Sequence, residues 1–405
     1  MAEEIYEVRT SELEDMVAQG ATYRGKVKNI VWLSLGLLFF ILVILINLLP
    51  FYDGKNDLMD FGSFYASGLK LSQNDNPYDA SSDYILEILF PKVGAGGKMV
   101  NLNPPISLLF FRPLVQANPY RAMVIWQIIS AMLYIISVLL LTKTYQDRLS
   151  PAKFIWVFIL AGFWHTIVLG QIYTVLLLLT VLAWIFLRQG RTIFAAAALG
   201  LLVAIKPNFV IWPLFLLVAG YTIPVLASAV TAAVVSLIPV FVYGTKVYAQ
   251  WMEASALRPE TLIMPGNNSI LGLFARFASV PLGIAISVLV VLALLVCVRW
   301  RKPKSMETVE YICALGIIAS LLASPITWTG YTMLLLPIFF SLKRWSFPAI
   351  FSAIILAIPF QVVLQLFQTS FTGFVIFGWL YGWAILLLLG MVVRNTMMTR
   401  SIQTN

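Results

Sequence analysis

Long apolar stretches recur along almost the whole chain, and they limit it to one kind of fold. A hydrocarbon core about 30 Å thick takes about 20 helical residues to cross. Inside it every backbone N–H and C=O must be paired within the protein, which helices do internally. Charge-poor apolar stretches lie at 30–49, 122–142, 154–169, 172–187, 192–205, 207–219, 222–243, 280–298, 309–323, 331–342, 346–367 and 373–393. The stretches 207–219 and 331–342 are short and read as oblique or re-entrant. Of the 405 residues 60% are hydrophobic and 11% charged, which leaves no sizeable soluble domain. The expected fold is an all-α polytopic membrane protein with about 11–12 transmembrane helices. A single membrane domain at 30–393 sits between a cytoplasmic lead at 1–29 and a cytoplasmic tail at 394–405.

Lys and Arg near membrane helices resist translocation and so mark the cytoplasmic side. Arg24, Lys26 and Lys28 precede the first stretch; Lys143, Arg148 and Lys153 join the second to the third; Arg188 and Arg191 join the fourth to the fifth. Arg299, Arg301, Lys302 and Lys304, then Lys343 and Arg344, and finally Arg394 and Arg400 continue the pattern. Strict alternation puts all of them, and both termini, in the cytoplasm of a cell whose plasma membrane holds the protein. The opposite face receives two long loops, 50–121 and 244–279. Asp53, Asp57, Asp60, Asp75, Asp79, Asp83, Glu87, Glu253 and Glu260 all fall there.

The net charge of +9 comes from short joints beside the membrane, where topology and anionic lipid account for it, so nucleic acid is not an expected partner. The two cysteines, Cys297 and Cys313, both lie in apolar stretches and form no metal motif. His165 is the single histidine, which excludes a metal site built on histidines, and no cofactor is expected. Residues 1–28 do not resemble a signal peptide.

In the first outer loop, segments 60–72 and 80–90 carry apolar residues at helical spacing and read as amphipathic helices along the membrane surface. Residues 105–116 are apolar, short and proline-flanked, and read as a dipping element that does not span. Asp57–Leu58–Met59–Asp60–Phe61 offers a carboxylate able to deprotonate a hydroxyl, or else a helix N-cap. Asn76–Pro77–Tyr78–Asp79 marks a turn, and Asn103–Pro104–Pro105 a rigid break. Gly170–Gln171–Ile172–Tyr173, with His165 one turn earlier, places an amide that can bond a sugar or phosphate, or cap a helix end. Lys206, before Pro207 and Asn208, has no acidic neighbour in sequence; it suits a phosphate, or snorkels to the headgroups. Gly266–Asn267–Asn268–Ser269 stands two helical turns before Arg276, so Ser269 and Arg276 are expected to face one cleft. Ser324–Pro325–Ile326–Thr327–Trp328 ends in an aromatic that suits a sugar face or the interfacial belt.

The topology count brings these motifs to one face. In order, DFGSFYASG (60–68), PYD (77–79), NPP (103–105), GQIYTVLLLL (170–179), GLLVAIKP (200–207), NNSILGLFAR (267–276) and SPITW (324–328) resemble glycosyltransferase family 87. That family includes polyprenol-phosphate-mannose-dependent α-1,2-mannosyltransferases. The resemblance implies a GT-C enzyme of the cell envelope. It would move mannose or another hexose, with inversion, from a polyprenyl-phosphate donor to a lipid or glycan hydroxyl on the extracytoplasmic face. It implies Asp60 as the base; the chemistry and placement of the other motif residues then put Lys206 and Arg276 at the donor phosphate, and Tyr65, His165, Gln171, Asn267, Ser269 and Trp328 around the substrates. The family often carries His shortly after the Trp of the last motif; here Thr329, Gly330 and Tyr331 follow. Two other classes compete. A lipid-linked glycan flippase would favour internal repeats and charges at helix centres, and neither is found. A glycan polymerase or ligase with a diphosphate donor would favour several outer-loop arginines, whereas 50–121 holds Arg112 and Arg121.

Overall fold

The computed structural model describes residues 58–79, 100–146, 151–256, 259–300 and 306–402, with parts of 34–46. The readings of Asp57, of segment 80–90 and of the Gly-rich turn after it lie outside these residues. The protein is an all-α polytopic membrane protein. Three of the described helices are long and apolar enough to cross a bilayer unaided: Pro119–Tyr145, Thr222–Tyr243 and Val280–Arg299. Shorter apolar helices lie among them, including Tyr173–Arg188, Thr192–Ile205 and Pro207–Val218.

Several expected spans are broken. The 346–367 stretch forms Phe347–Ala357 and Phe360–Phe367, bent by 82°. Ile358 is extended (φ −66°, ψ 122°) because Pro359 disfavours the helical region for the residue before it. The 154–169 stretch divides at Leu160 into Pro151–Ile159 and Ala161–Leu169. No proline marks that break, but Gly162 just beyond it leaves room for a close approach: a Cβ there would sit 3.0 Å from the Thr329 carbonyl. The 331–342 stretch begins as a 3₁₀ helix, Thr329–Leu335, and continues as Leu336–Ser341. Hydropathy measures how apolar a stretch is and is blind to these breaks.

Small residues let helices approach where lipid-like side chains supply no hydrophobic drive between them. Gly200 is such a point, since a Cβ on it would lie 2.6 Å from the Ser228 carbonyl of the Thr222–Tyr243 helix. The Tyr173–Arg188 helix packs between Pro119–Tyr145 and Thr192–Ile205. Its two ends differ sharply. At the C-terminal end Arg188 Nε lies 2.8 Å from Glu310 Oε1. There the Tyr145 hydroxyl also donates to Glu310 (2.9 Å), and the Trp184 indole donates to Tyr145 (2.7 Å). Gln171 lies just before the Tyr173–Arg188 helix, Lys206 at the end of Thr192–Ile205, and Ser324 at the end of Met306–Ala323, the helix that carries Glu310, so all three motifs lie at the ends opposite this cluster. At 1.5 Å per residue, a helix of this length separates the two ends by roughly 24 Å.

The helix expected at 60–72 forms as Met59–Ser72. Residues 61–68 are all buried, so it is packed inside the protein rather than laid on the membrane surface with one face open. Its N-cap position is Leu58 with no side-chain cap, and Asp60 lies within the first turn, which removes the capping role for Asp60. Residues 105–116 form three short helical pieces, Pro105–Ser107, Leu108–Phe111 and Arg112–Gln116, as the proline-flanked reading expects.

Candidate active site

Gly170 brings Asp60 to the membrane helices. It ends the Ala161–Leu169 helix in the left-handed region (φ +66°), where glycine is tolerated best. It also abuts Phe61, and a Cβ on residue 170 would sit 2.6 Å from the Phe61 Cβ. The Trp126 indole donates to the Gly170 carbonyl (2.9 Å) and fixes the turn. The next residue, Gln171, is buried and donates through Nε2 to Asp60 Oδ2. The two motifs predicted to share a face therefore touch. The Gln171 amide is spent on the Asp60 carboxylate and holds it in place.

From Asp60 the site continues through two tyrosines. Tyr173 is electrostatically coupled to the Asp60 carboxylate, and its ring lies against that of Tyr331. The two rings are 4.4 Å apart at 36°. Lys206 lies beyond them, its ammonium over the Tyr331 ring with Nζ 5.8 Å from the centroid. Lys206 caps the Thr192–Ile205 helix in extended conformation (φ −141°, ψ 92°), and Pro207 opens the next turn. The residue as a whole is half-buried, while burial of its ammonium end pulls that group below the ordinary lysine range, to about 8. No acidic side chain pairs with it among the described residues.

A second cluster closes the site. Asn267 Oδ1 accepts from the Thr327 N–H (3.0 Å) and the Ser269 N–H (3.2 Å), and its Nδ2 donates to the Leu262 carbonyl (3.0 Å). The Asn268 N–H donates to the Thr327 carbonyl (2.7 Å). Ser269 Oγ accepts from the Gly272 N–H (2.9 Å) and donates to the Pro325 carbonyl (3.1 Å). These bonds staple the Asn-Asn-Ser motif to the Ser-Pro-x-x-Trp motif. They leave Trp328 half-buried, with no hydrogen-bond partner for its indole N–H among the described residues. The His165 ring stands edge-on to Phe360 (4.7 Å, 87°), and its Nδ1 is buried without a partner.

Two expected substrate contacts are occupied by backbone. The Tyr65 hydroxyl donates to the Ala117 carbonyl (2.8 Å) and ties its helix to the chain entering the Pro119–Tyr145 helix. Arg276 is buried, and its guanidinium donates to the carbonyls of Gly272 (2.9 Å), Met264 (2.8 Å), Asn267 (3.3 Å) and Gly378 (2.8 Å). With its terminal nitrogens committed in this way, Arg276 is a poor candidate for a phosphate ligand. Ser269 and Arg276 do act on one loop, but as its fasteners. Sequence reasoning misses Tyr173 and Tyr331 as members of the site. The place of Tyr173 in the Gly-Gln-Ile-Tyr motif is the signal that could have found it.

The model of glycosyltransferase family 87 matches residues 101–325, more than half of the chain. The chain belongs to glycosyltransferase family 87. No curated protein and no solved structure matches it. Within the family-87 segment lie His165, Gln171, Tyr173, Lys206, Asn267, Ser269 and Arg276. Asp60, Tyr65, Trp328 and Tyr331 lie outside it. The Gln171–Asp60 bond, the Tyr173–Tyr331 pair and the Thr327 bonds to Asn267 and Asn268 join those outer pieces to the family-87 core. The protein is thus a multi-pass membrane glycosyltransferase acting on a sugar donor and an acceptor.

Proposed function

We propose that this family-87 enzyme transfers a hexose, mannose or a relative, from a polyprenyl-phosphate donor to a hydroxyl of a lipid or glycan on the extracytoplasmic face of the plasma membrane. The observation that carries the reading is the line from Asp60 through Tyr173 and Tyr331 to Lys206, with which no acidic side chain pairs among the described residues. Asp60 takes the proton of the acceptor hydroxyl as its oxygen attacks the anomeric carbon from the side opposite the phosphate. The bond from that carbon to the phosphate oxygen breaks, and the anomeric configuration inverts. The leaving group gains negative charge as it becomes a phosphate monoester. A cation placed at that oxygen therefore binds the transition state more strongly than the ground state. Lys206 supplies that cation. Gln171 orients Asp60. Trp328 and His165 face the sugar, while Tyr65, Asn267, Ser269 and Arg276 hold the walls. A lipid-borne donor reaches such a site from within the bilayer.

Purified protein given a polyprenyl-phosphate hexose and an acceptor should release polyprenyl phosphate. Lys206→Ala should weaken donor use at least tenfold, and Lys206→Arg should keep part of it, because charge is retained while geometry changes. As pH rises through about 8, Lys206 loses its proton, so kcat/KM for the donor should fall on that limb in wild type and not in Lys206→Arg. Equal donor use by wild type and Lys206→Ala would leave Lys206 as a headgroup contact alone.

The face of the membrane has its own test. Cysteine at position 75 should react with an impermeant thiol reagent in intact cells, and cysteine at position 191 only after permeabilisation. The reverse pattern would put the reaction in the cytoplasm and remove the argument for a lipid-phosphate donor.

A further inference from the structure

We infer that Tyr331 is a positioning residue, which holds the Lys206 ammonium by its ring face and so leaves the lysine's N–H donors open to an anion. The inference rests on the reading of Lys206 as the ligand of the leaving phosphate. A buried lysine is ordinarily kept charged by a carboxylate. Such a partner would have to be displaced by each arriving phosphate and would reclaim the lysine at each departure. An aromatic face attracts the ammonium through the ring quadrupole and offers no competing acceptor. At 5.8 Å from the ring centroid, Nζ lies within the range where this attraction operates.

The ring is held where that role needs it. Tyr331 is 3% exposed. One neighbour is the Tyr173 ring at 4.4 Å, and another is Phe209 at 6.0 Å, three residues along the chain from Lys206. The Tyr331 N–H donates to the Trp328 carbonyl (2.9 Å), which sets the start of the 3₁₀ turn. Gly330 leaves the space that Tyr173 fills: a Cβ there would also lie 2.7 Å from Thr166 Oγ1. Tyr173 is also electrostatically coupled to Asp60, so the pair of rings links the base to the cation.

The test is a double-mutant cycle on the full-length purified enzyme with a polyprenyl-phosphate hexose. Tyr331→Leu should lower kcat/KM for the donor roughly twofold to thirtyfold, the range for cation–π contacts from exposed to desolvated sites, with part of the loss in kcat because Lys206 acts on the leaving oxygen. In the Lys206→Ala background the same change should have little further effect, because the group it positions is gone. Tyr331→Phe should recover most of the donor affinity lost in Tyr331→Leu. A second pair guards against a variant that fails to fold. Phenylalanine and 3,4,5-trifluorophenylalanine at position 331 differ little in shape but much in ring quadrupole, so the fluorinated ring should have the lower kcat/KM. Equal kcat/KM for that pair, or an equal effect of Tyr331→Leu in both backgrounds, would overturn the inference and leave Tyr331 a packing residue. Normal donor use by Lys206→Ala would instead overturn the phosphate reading beneath it.

Discussion

Asp60→Asn is expected to lower turnover by about 10²–10⁴-fold, the usual contribution of a positioned general base. Asparagine keeps the size of the side chain and an oxygen that can accept from Gln171 Nε2, so the packing of the Met59–Ser72 helix against Gly170 should survive. Donor KM should change little, because the base acts on the acceptor hydroxyl and the cation at the phosphate is untouched. The measurement is single-turnover transfer by purified variants, with donor binding recorded separately. Asp60→Asn at wild-type turnover would remove the chemical centre of the mechanism. Loss of donor binding with turnover preserved at saturating donor would move Asp60 to the substrate-holding wall.

The second large effect concerns stability. Arg276→Ala strips hydrogen-bond donors from the carbonyls of Gly272, Met264, Asn267 and Gly378. An unsatisfied buried polar group costs roughly 1–3 kcal/mol, and water or local relaxation will relieve some of the four. A net loss on the order of 3 kcal/mol is expected, seen as a lower melting temperature in detergent. Arg276→Lys keeps the charge but presents a compact ammonium in place of a planar fork, so it should recover only part of the loss. A normal melting temperature combined with selective loss of donor affinity would contradict the carbonyl clamp and return Arg276 to the phosphate.

The placement of the motifs was legible in the sequence because it follows from counting. Apolar runs alternate between faces, and Gln171, Lys206, Asn267 and Ser324 each stand at a joint of the same parity. The Asp60–Gln171 bond and the Asn267–Thr327 bond are what that parity predicts. The uses of individual side chains were less legible. Arg276 reads as a free cation because three of its carbonyl partners carry no sequence signal, and the fourth, at Gly378, lies in a distant segment. Tyr331 reads as the place of an absent histidine; its pairing with Tyr173 and Lys206 exists only after three separate helices have met. The break at Leu160 has no proline to announce it, and the close approach at Gly162 beside it becomes visible only in the packed structure.

The tether between Arg276 and Gly378 has a consequence for how the enzyme is made. The Trp379 indole also donates to the Ser269 carbonyl (2.7 Å), so two bonds tie the start of the last long helix to the Asn-Asn-Ser loop. Chain growth delivers Asp60 first, Lys206 near the middle, Tyr331 later and Gly378–Trp379 almost at the end. The candidate site residues are therefore synthesised as separate pieces, and the two bonds that Gly378 and Trp379 share with the loop can form only after those residues have been made. A chain that has not yet reached residue 378 can already hold the loop through Thr327 and Pro325, but it lacks the two fasteners from Gly378 and Trp379.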